Sequence, residues 1–265
     1  MMVLHWRRPG AAYTRRVTAD LMDPLAAAFR LDGTNGEAIV LIHGFTGVPA
    51  HFRPIAKTLN EAGYTVNVPR LAGHGTNIAD LANTRGKDWT RSAFTAIEAV
   101  SDHDRVHLAG LSMGGLISLL LSNQVEAATV TTINSPAIVR DKKFYLTPIG
   151  RFFVRDIEWA EGDVPDLDPD MQQYWLPYGS FPTRSAADLF AIIRRALWVA
   201  RKVEVPSLVI QSRVDETVDP RSGKILAQLL GDNCRLMWLD DSIHCAVLDR
   251  ERETIAAAVL ERVAN

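Results

Sequence analysis

The sequence predicts an α/β fold, in which a mostly parallel sheet is flanked by helices, and three observations support this prediction. Short apolar runs of strand length alternate with longer segments of helical spacing along most of the chain. The runs are apolar throughout, as expected for strands that are buried on both faces. The chain has 265 residues, of which 47% are hydrophobic, and this is enough for one large core.

The strands and helices can be placed in order from residue 38 onward, and no element is assigned before it. Six runs are predicted as strands, over 38–43, 64–68, 105–109, 129–133, 207–212 and 235–239. Five segments are predicted as helices, over 49–62, 89–100, 113–122, 223–230 and 252–263. Because an open parallel sheet collects its functional groups at the carboxyl ends of its strands, the candidate residues are sought there.

Residues 136–205 interrupt this alternation, and we interpret them as a cap inserted into the fold after its sixth strand. The core of the fold would then consist of residues 1–135 and 206–265. The segment contains a Pro/Asp-rich stretch, 163–182, and two helical patches, 147–155 and 185–202. A long disordered excursion is the alternative, but disordered tracts are poor in aromatic residues. The segment has many of them, including Phe144, Phe152, Phe153, Trp159, Tyr174, Trp175, Tyr178, Phe181, Phe190 and Trp198.

Composition and charge exclude several classes of function. Lys and Arg number 29 against 31 Asp and Glu, a net charge of −2, so the chain as a whole has no electrostatic reason to bind nucleic acid or an anionic membrane. The two cysteines, Cys234 and Cys245, form neither a disulfide framework nor a metal-binding pattern, which favours a cytoplasmic location. The basic N-terminus lacks the apolar stretch of a signal peptide, and no apolar run is long enough to span a membrane.

Residues 110–114 (GLSMG) match the pattern G-x-S-x-G and indicate Ser112 as a nucleophile. The pentad alone is weak, but it lies between a predicted buried strand and a predicted helix. A sharp turn there would hold the serine in a strained conformation at the positive end of the helix dipole, and the glycines would allow the close approach of strand and helix. The alternative is a glycine-rich structural turn.

A serine hydroxyl needs a base, and the base needs an acid that orients it. His244 is the best-placed base, because it follows the last predicted strand after a short loop and completes the chain order serine, acid, histidine. Asp215 is the first acidic residue after the strand 207–212. Four other acids compete with it: Glu216, Asp219, Asp240 and Asp241. Of these, Asp219, before Pro220, is more typical of a helix N-cap.

The negative charge that develops on a substrate oxygen needs backbone N–H donors. The residue after the nucleophile, Met113, would supply one donor. The second would come from the loop after the first predicted strand, 43–47 (HGFTG), with Phe45 as the expected donor. His43 begins this loop and is expected to brace it rather than to act as the base. A second glycine-rich loop, 69–76 (PRLAGHGT), lacks a phosphate-binding pattern and is expected to support the site.

These motifs together resemble those of bacterial monoacylglycerol lipases and the closely similar small carboxylesterases. The resemblance rests on HGFTG at 43–47, RLxGHGT at 70–76, GLSMGG at 110–115, and the positions of Asp215 and His244. It implies an α/β-hydrolase fold with a small helical cap, a catalytic triad of Ser112, Asp215 and His244, and hydrolysis of medium-chain esters. It implies no cofactor, no metal and a cytoplasmic location. No glycerol-binding residue is carried over, since the cap sequence differs.

The expected partner is therefore a small-molecule ester with an apolar acyl chain, and contact with a lipid surface would be transient. The aromatic residues of the cap favour an apolar acyl group. Three alternatives use the same triad on a thioester, a lactone or a C–C bond beside a ketone. A fourth is a non-catalytic ligand receptor on the same fold. The sequence does not indicate an oligomeric state.

Overall fold

The computed structural model describes residues 23–158, 167–176 and 178–265. The first 22 residues, Trp159 and part of the predicted Pro/Asp-rich stretch lie outside the described residues. The strands are β1 Phe29–Leu31, β2 Glu37–Ile42, β3 Thr65–Val68, β4 Arg105–Leu111, β5 Thr129–Ile133, β6 Asp156–Glu158, β7 Ser180–Pro182, β8 Ser207–Ser212 and β9 Cys234–Leu239. The helices are α1 Arg53–Glu61, α2 Ile78–Asn83, α3 Gly86–Glu98, α4 Met113–Ser122, α5 Thr147–Gly150, α6 Pro169–Gln172, α7 Thr183–Ala200, α8 Arg221–Leu230 and α9 Arg252–Ala264.

Seven of these strands form one sheet in the order β1-β3-β2-β4-β5-β8-β9. Every neighbouring pair is parallel except β1 and β3, which are antiparallel. Strands β6 and β7 form a separate antiparallel pair. The predicted α/β fold with a mostly parallel sheet is confirmed. All six predicted strands are present within two residues of their predicted ends, whereas β1, α2, β6, α6 and β7 were not predicted.

The core is divided by the sheet into two layers, because successive strand residues point to opposite faces. In β2, Val40 and Ile42 face the layer that contains α3, α4, α7 and α8. Ile39 and Leu41 face the layer that contains α1 and α9. All four side chains are buried, which explains why the strands are apolar throughout.

The segment predicted as a cap follows β5, which is the fifth strand in the described part of the chain; residues 1–22 lie outside that part. The first part of the segment consists of a 3₁₀ turn (Lys142–Leu146), α5, the β6–β7 pair and α6. Its last helix, α7, packs on α4 and contributes Leu189, Ile193 and Ala196 to the core layer. The second part of the segment is therefore built into the main core.

An ion pair at the N-terminus of α3 also fixes α7. The guanidinium group of Arg85 donates two hydrogen bonds to the Asp188 carboxylate, at 2.6 and 2.8 Å, and the amide of Gly86 donates a third, at 3.1 Å. The pKa of Asp188 is lowered because these hydrogen bonds outweigh the effect of its burial. This contact joins the segment 136–205 to the core independently of the apolar packing.

The turn between β4 and α4 requires glycine at two positions. A Cβ atom at Gly114 would overlap the carbonyl group of Ile42 in β2, and one at Gly110 would overlap the backbone of Gly114. These neighbours are backbone atoms of central elements, so they cannot move aside as a flexible side chain could. The glycines let α4 begin directly against β2 and β4.

We expect the substitution Gly114→Ala to lower the free energy of unfolding by about 3 kcal/mol, because the added methyl group overlaps a backbone carbonyl in the core. Urea denaturation followed by circular dichroism measures this change. The matched control is Gly179→Ala, since a Cβ atom there would meet no atom within 4 Å. We expect the control to change the stability by less than about 1 kcal/mol. Equal effects of the two substitutions would contradict the proposed close approach.

Candidate active site

Ser112 lies in the turn between β4 and α4, at the carboxyl edge of the sheet. Its backbone has φ 54° and ψ −119°, a strained conformation for a residue with a side chain. Its neighbours hold it there: its amide donates to the Ile133 carbonyl at 2.7 Å, and its carbonyl accepts from Ser135 Oγ at 2.8 Å. The Ser112 side chain therefore stands above the central strands at the N-terminus of a buried helix.

His244 and Asp215 form a hydrogen-bonded pair at the same edge. His244 Nδ1 lies 2.8 Å from Asp215 Oδ2. The Asp215 side chain is completely buried, and its other oxygen accepts from the amides of Thr217, at 2.8 Å, and Val218, at 2.7 Å. Since a carboxylate only accepts, Nδ1 carries the proton and Nε2 is left with its lone pair. The Ser112 hydroxyl makes no hydrogen bond to this ring within the described residues, and such contacts often tighten only when substrate binds.

The competing acids have other partners. Asp219 binds the Arg221 guanidinium at 2.7 Å and accepts from the Arg221 amide, as its predicted capping role requires. Asp240 binds Arg213 at 2.8 Å. Among the described residues, neither they nor Glu216 and Asp241 form a hydrogen bond with His244. Asp215 is thus the acid that the fold brings to the histidine.

The loop predicted to supply a backbone donor lies against the serine. A Cβ atom at Gly44 would be 3.3 Å from Ser112 Cβ, so the loop backbone approaches Ser112 closely. The Phe45 amide donates to no backbone acceptor among the described residues. Met113 is the first residue of α4, so its amide has no acceptor within the helix. Two N–H groups are therefore available beside Ser112.

His43 connects the two glycine-rich loops, as expected of a bracing residue. Its Nδ1 is 2.9 Å from the Gly44 carbonyl, and its Nε2 accepts from the Leu71 amide at 3.1 Å. Burial and the neighbouring His74 hold the pKa of His43 well below 6.5, so the ring stays neutral and keeps both hydrogen bonds. The loop 69–76 is supported in turn by Tyr178, whose hydroxyl binds the Gly73 carbonyl and the Thr76 amide, both at 3.1 Å.

Asn134 is a candidate functional residue that sequence reasoning missed. It is completely buried at the end of β5, with φ 45°. Its Nδ2 donates to the carbonyls of Ile243, at 3.2 Å, and His244, at 2.9 Å, and its Oδ1 accepts from the Ser212 amide at 2.7 Å. One side chain thus connects the strand that precedes Asp215 to the loop that carries His244. An asparagine at a carboxyl strand end was the available signal.

Two further contacts fix the acid and the histidine loops. Arg140 Nε donates to the carbonyl of Asp215 at 2.8 Å. Glu251, which precedes α9, accepts from the amides of Asp240, Asp241 and Ser242, at 3.1, 3.0 and 2.8 Å. No local sequence pattern around Arg140 or Glu251 indicated these contacts.

Aromatic side chains of the segment 136–205 lie on both sides of the site. Phe181 contacts Phe45 edge-on, with ring centroids 5.5 Å apart. On the other side, Trp175 stacks on His51 at 5.2 Å, and the His51 ring reaches Cys245, next to His244. Burial lowers the pKa of His51 to about 4, so this ring is neutral and adds no charge. The surroundings of the candidate triad are therefore largely apolar.

The described residues contain no group of three or more His, Cys, Asp or Glu side chains that could hold a metal ion. In the same part of the chain, no helix has the length and apolar character needed to cross a bilayer.

Cys234 and Cys245 are both free thiols.

Two known proteins are similar to this chain over most of its length. A thermostable monoacylglycerol lipase of Bacillus sp. (strain H-257) is 29% identical over 226 residues, which cover 84% of this chain and 88% of the relative. A carboxylesterase of Bacillus subtilis (strain 168) is 27% identical over 230 residues, which cover 85% of this chain and 91% of the relative.

A solved structure from work on LipS and LipT, two metagenome-derived lipolytic enzymes, is 28% identical and superposes with a TM-score of 0.82. The superposition covers 91% of this chain and 98% of the chain in that structure. The model of the alpha/beta hydrolase family matches residues 39–258, which include all five predicted site residues. The family resemblance inferred from the motifs is confirmed: the chain belongs to the alpha/beta hydrolase family.

Proposed function

We propose that the protein is a serine carboxylic-ester hydrolase that acts on monoacylglycerols or other medium-chain esters. The observation that carries the proposal is the Asp215–His244 hydrogen bond at the sheet edge that also presents Ser112. Relatives named as a carboxylesterase and a monoacylglycerol lipase support ester hydrolysis as the activity. The two unpaired cysteines favour the cytoplasm as its location.

In the first half of the proposed reaction, His244 Nε2 takes the hydroxyl proton of Ser112 as Oγ attacks the ester carbonyl. Asp215 keeps the proton of the imidazole on Nδ1 and stabilises the imidazolium ion. The amides of Phe45 and Met113 bind the oxyanion, and such a donor typically contributes about 3 kcal/mol in the transition state. His244 then protonates the leaving alcohol, and an acyl-enzyme remains on Ser112.

In the second half, a water molecule replaces the alcohol and His244 takes its proton. The water oxygen attacks the acyl carbonyl, the same amides bind the second oxyanion, and the bond to Ser112 Oγ breaks. His244 returns the proton to Oγ, and the carboxylic acid leaves. The resting enzyme is restored without a cofactor.

We expect Ser112→Ala to lower kcat/KM for a p-nitrophenyl ester at least about 10⁴-fold, because the nucleophile is lost. Asp215→Asn should also lower kcat strongly, since an amide cannot hold the correct imidazole tautomer. Steady-state hydrolysis measures both effects. The matched control is Ser122→Ala, at the far end of α4, where the hydroxyl only binds the Leu119 carbonyl. A wild-type rate for Ser112→Ala would refute the assignment.

The acyl preference tests the substrate class. We expect kcat/KM to be highest for medium-chain esters in a series of monoacylglycerols and p-nitrophenyl esters of increasing chain length, because Phe45, Phe181 and Trp175 make the surroundings apolar. A thioester or lactone turned over faster than every ester would favour those alternatives instead. Product release that stops after one equivalent would favour a ligand receptor.

We expect Asn134 to act as a positioning residue for His244. In Asn134→Asp, the acceptor for Ser212 remains, but the donor to the carbonyls of Ile243 and His244 is lost, and a carboxylate faces both carbonyls. We expect kcat to fall at least about tenfold with little change in KM, because displacement of the base affects chemistry rather than binding.

The matched control for this prediction is Asn123→Asp. Its side chain donates to one carbonyl, that of Lys202, at the surface far from the site. Both variants should be compared at a temperature where circular dichroism shows them folded. An equal effect on kcat and on KM, or a loss of kcat in the control as well, would assign Asn134 a merely structural role.

A further inference from the structure

A group of apolar side chains is exposed to solvent at one end of the segment 136–205. We call it the apolar tip: Tyr145, Leu146, Ile149, Phe152, Phe153 and Val154. Phe152 is 73% exposed and Phe153 is 84% exposed, the two largest values among the exposed large hydrophobic residues. Single exposed apolar residues are common, but six within ten positions form a patch that calls for a partner.

The apolar tip reverses the usual pattern of a surface helix. The 3₁₀ turn Lys142–Leu146 leads directly into α5, and a turn over 151–153 follows; at helical spacing, positions 145, 149 and 152 fall on the same side. The opposite side is already buried, because Thr147 is 3% exposed and Phe144 packs against the core and Phe190. The exposed side would normally be polar. Burial in the core therefore does not explain these side chains.

Basic residues surround the apolar tip. From Lys142 to Arg155 the chain contains four basic residues and no acidic one, and all four are exposed. Arg155 is 91% exposed, and the Arg151 guanidinium lies 4.9 Å from the centre of the Phe152 ring. Acidic residues occur only at the borders: Asp141 caps the 3₁₀ turn, and Asp156 forms a 3.6 Å ion pair with Arg155.

The neighbouring face of α7 extends this basic surface. Phe190 of α7 contacts Tyr145 of the tip, with ring centroids 6.1 Å apart, and the Arg194 guanidinium lies 6.0 Å from the Phe190 ring. The acidic residue of α7, Asp188, is already paired with Arg85.

We propose that the apolar tip docks on an anionic lipid surface, with Phe152 and Phe153 inserted among the acyl chains and Arg151 and Arg155 bound to lipid phosphates. Apolar insertion together with local positive charge is the combination that holds peripheral proteins at anionic bilayers. The net charge of −2 does not oppose this contact, because charges beyond a Debye length are screened. A second copy is a poorer occupant, since self-association would bring the basic residues of two tips together.

Sedimentation with lipid vesicles tests the proposal on the full chain, without substrate. We expect binding to vesicles of phosphatidylcholine mixed with phosphatidylglycerol and much weaker binding to phosphatidylcholine alone. The double variant Phe152→Ser/Phe153→Ser should weaken binding at least about tenfold. The double variant Arg151→Gln/Arg155→Gln should weaken it at least about fivefold on the mixed vesicles only.

Two matched controls separate the tip from general effects. Lys57→Gln/Lys224→Gln removes the same charge from exposed positions on α1 and α8, and Trp198→Ser removes an exposed aromatic ring farther along α7. Both should bind like the wild type. Turnover of a soluble p-nitrophenyl ester without vesicles should be unchanged in the tip variants, and this assay tests the proposed function separately.

Three outcomes would overturn the proposal. One is absence of binding to the mixed vesicles. Another is equal binding to both kinds of vesicle that the arginine variant does not alter. The third is a dimer in size-exclusion chromatography that the Phe152→Ser/Phe153→Ser variant converts to a monomer, since a second copy would then cover the tip.

Discussion

The close approach of α4 to β2 and β4 is the constraint on which the candidate site depends. Gly110 and Gly114 allow this approach, because any side chain there would overlap the backbone. With α4 so close, the connecting residue Ser112 is forced to a positive φ, and its side chain points away from the sheet. The first amide of α4 and the loop beside Gly44 then lie next to that side chain. One steric condition thereby places the candidate nucleophile and both candidate donors.

The acid and the base are held in a different way, by hydrogen bonds between loops. Asp215 is fixed by two amides of its own loop and by Arg140 from the chain after β5. The His244 loop is fixed by Asn134 and by Glu251. These contacts join neighbouring strands and α9, so the positions of the Asp215 and His244 side chains depend on several elements. Rigid positions of this kind are what proton transfer over a short distance requires.

The sequence predicted the strands well, because a buried strand is recognised from a local pattern. Apolar runs mark buried strands, and the chain order of Ser112, Asp215 and His244 follows from the topology. Strand β1 was missed because it has three residues, only partly buried, at an edge of the sheet. The role of Asn134 was missed for another reason. Its partners, Ser212 and His244, lie 78 and 110 positions away, and no local pattern encodes such a contact.

The attachment of α7 has a mechanical consequence. Its apolar face belongs to the main core, and Asp188 is clamped by Arg85 and Gly86. A rigid-body movement of the whole segment 136–205 would have to break the Arg85–Asp188 ion pair and expose part of the core at the same time. A movement of the segment that leaves this ion pair intact must therefore leave α7 in place.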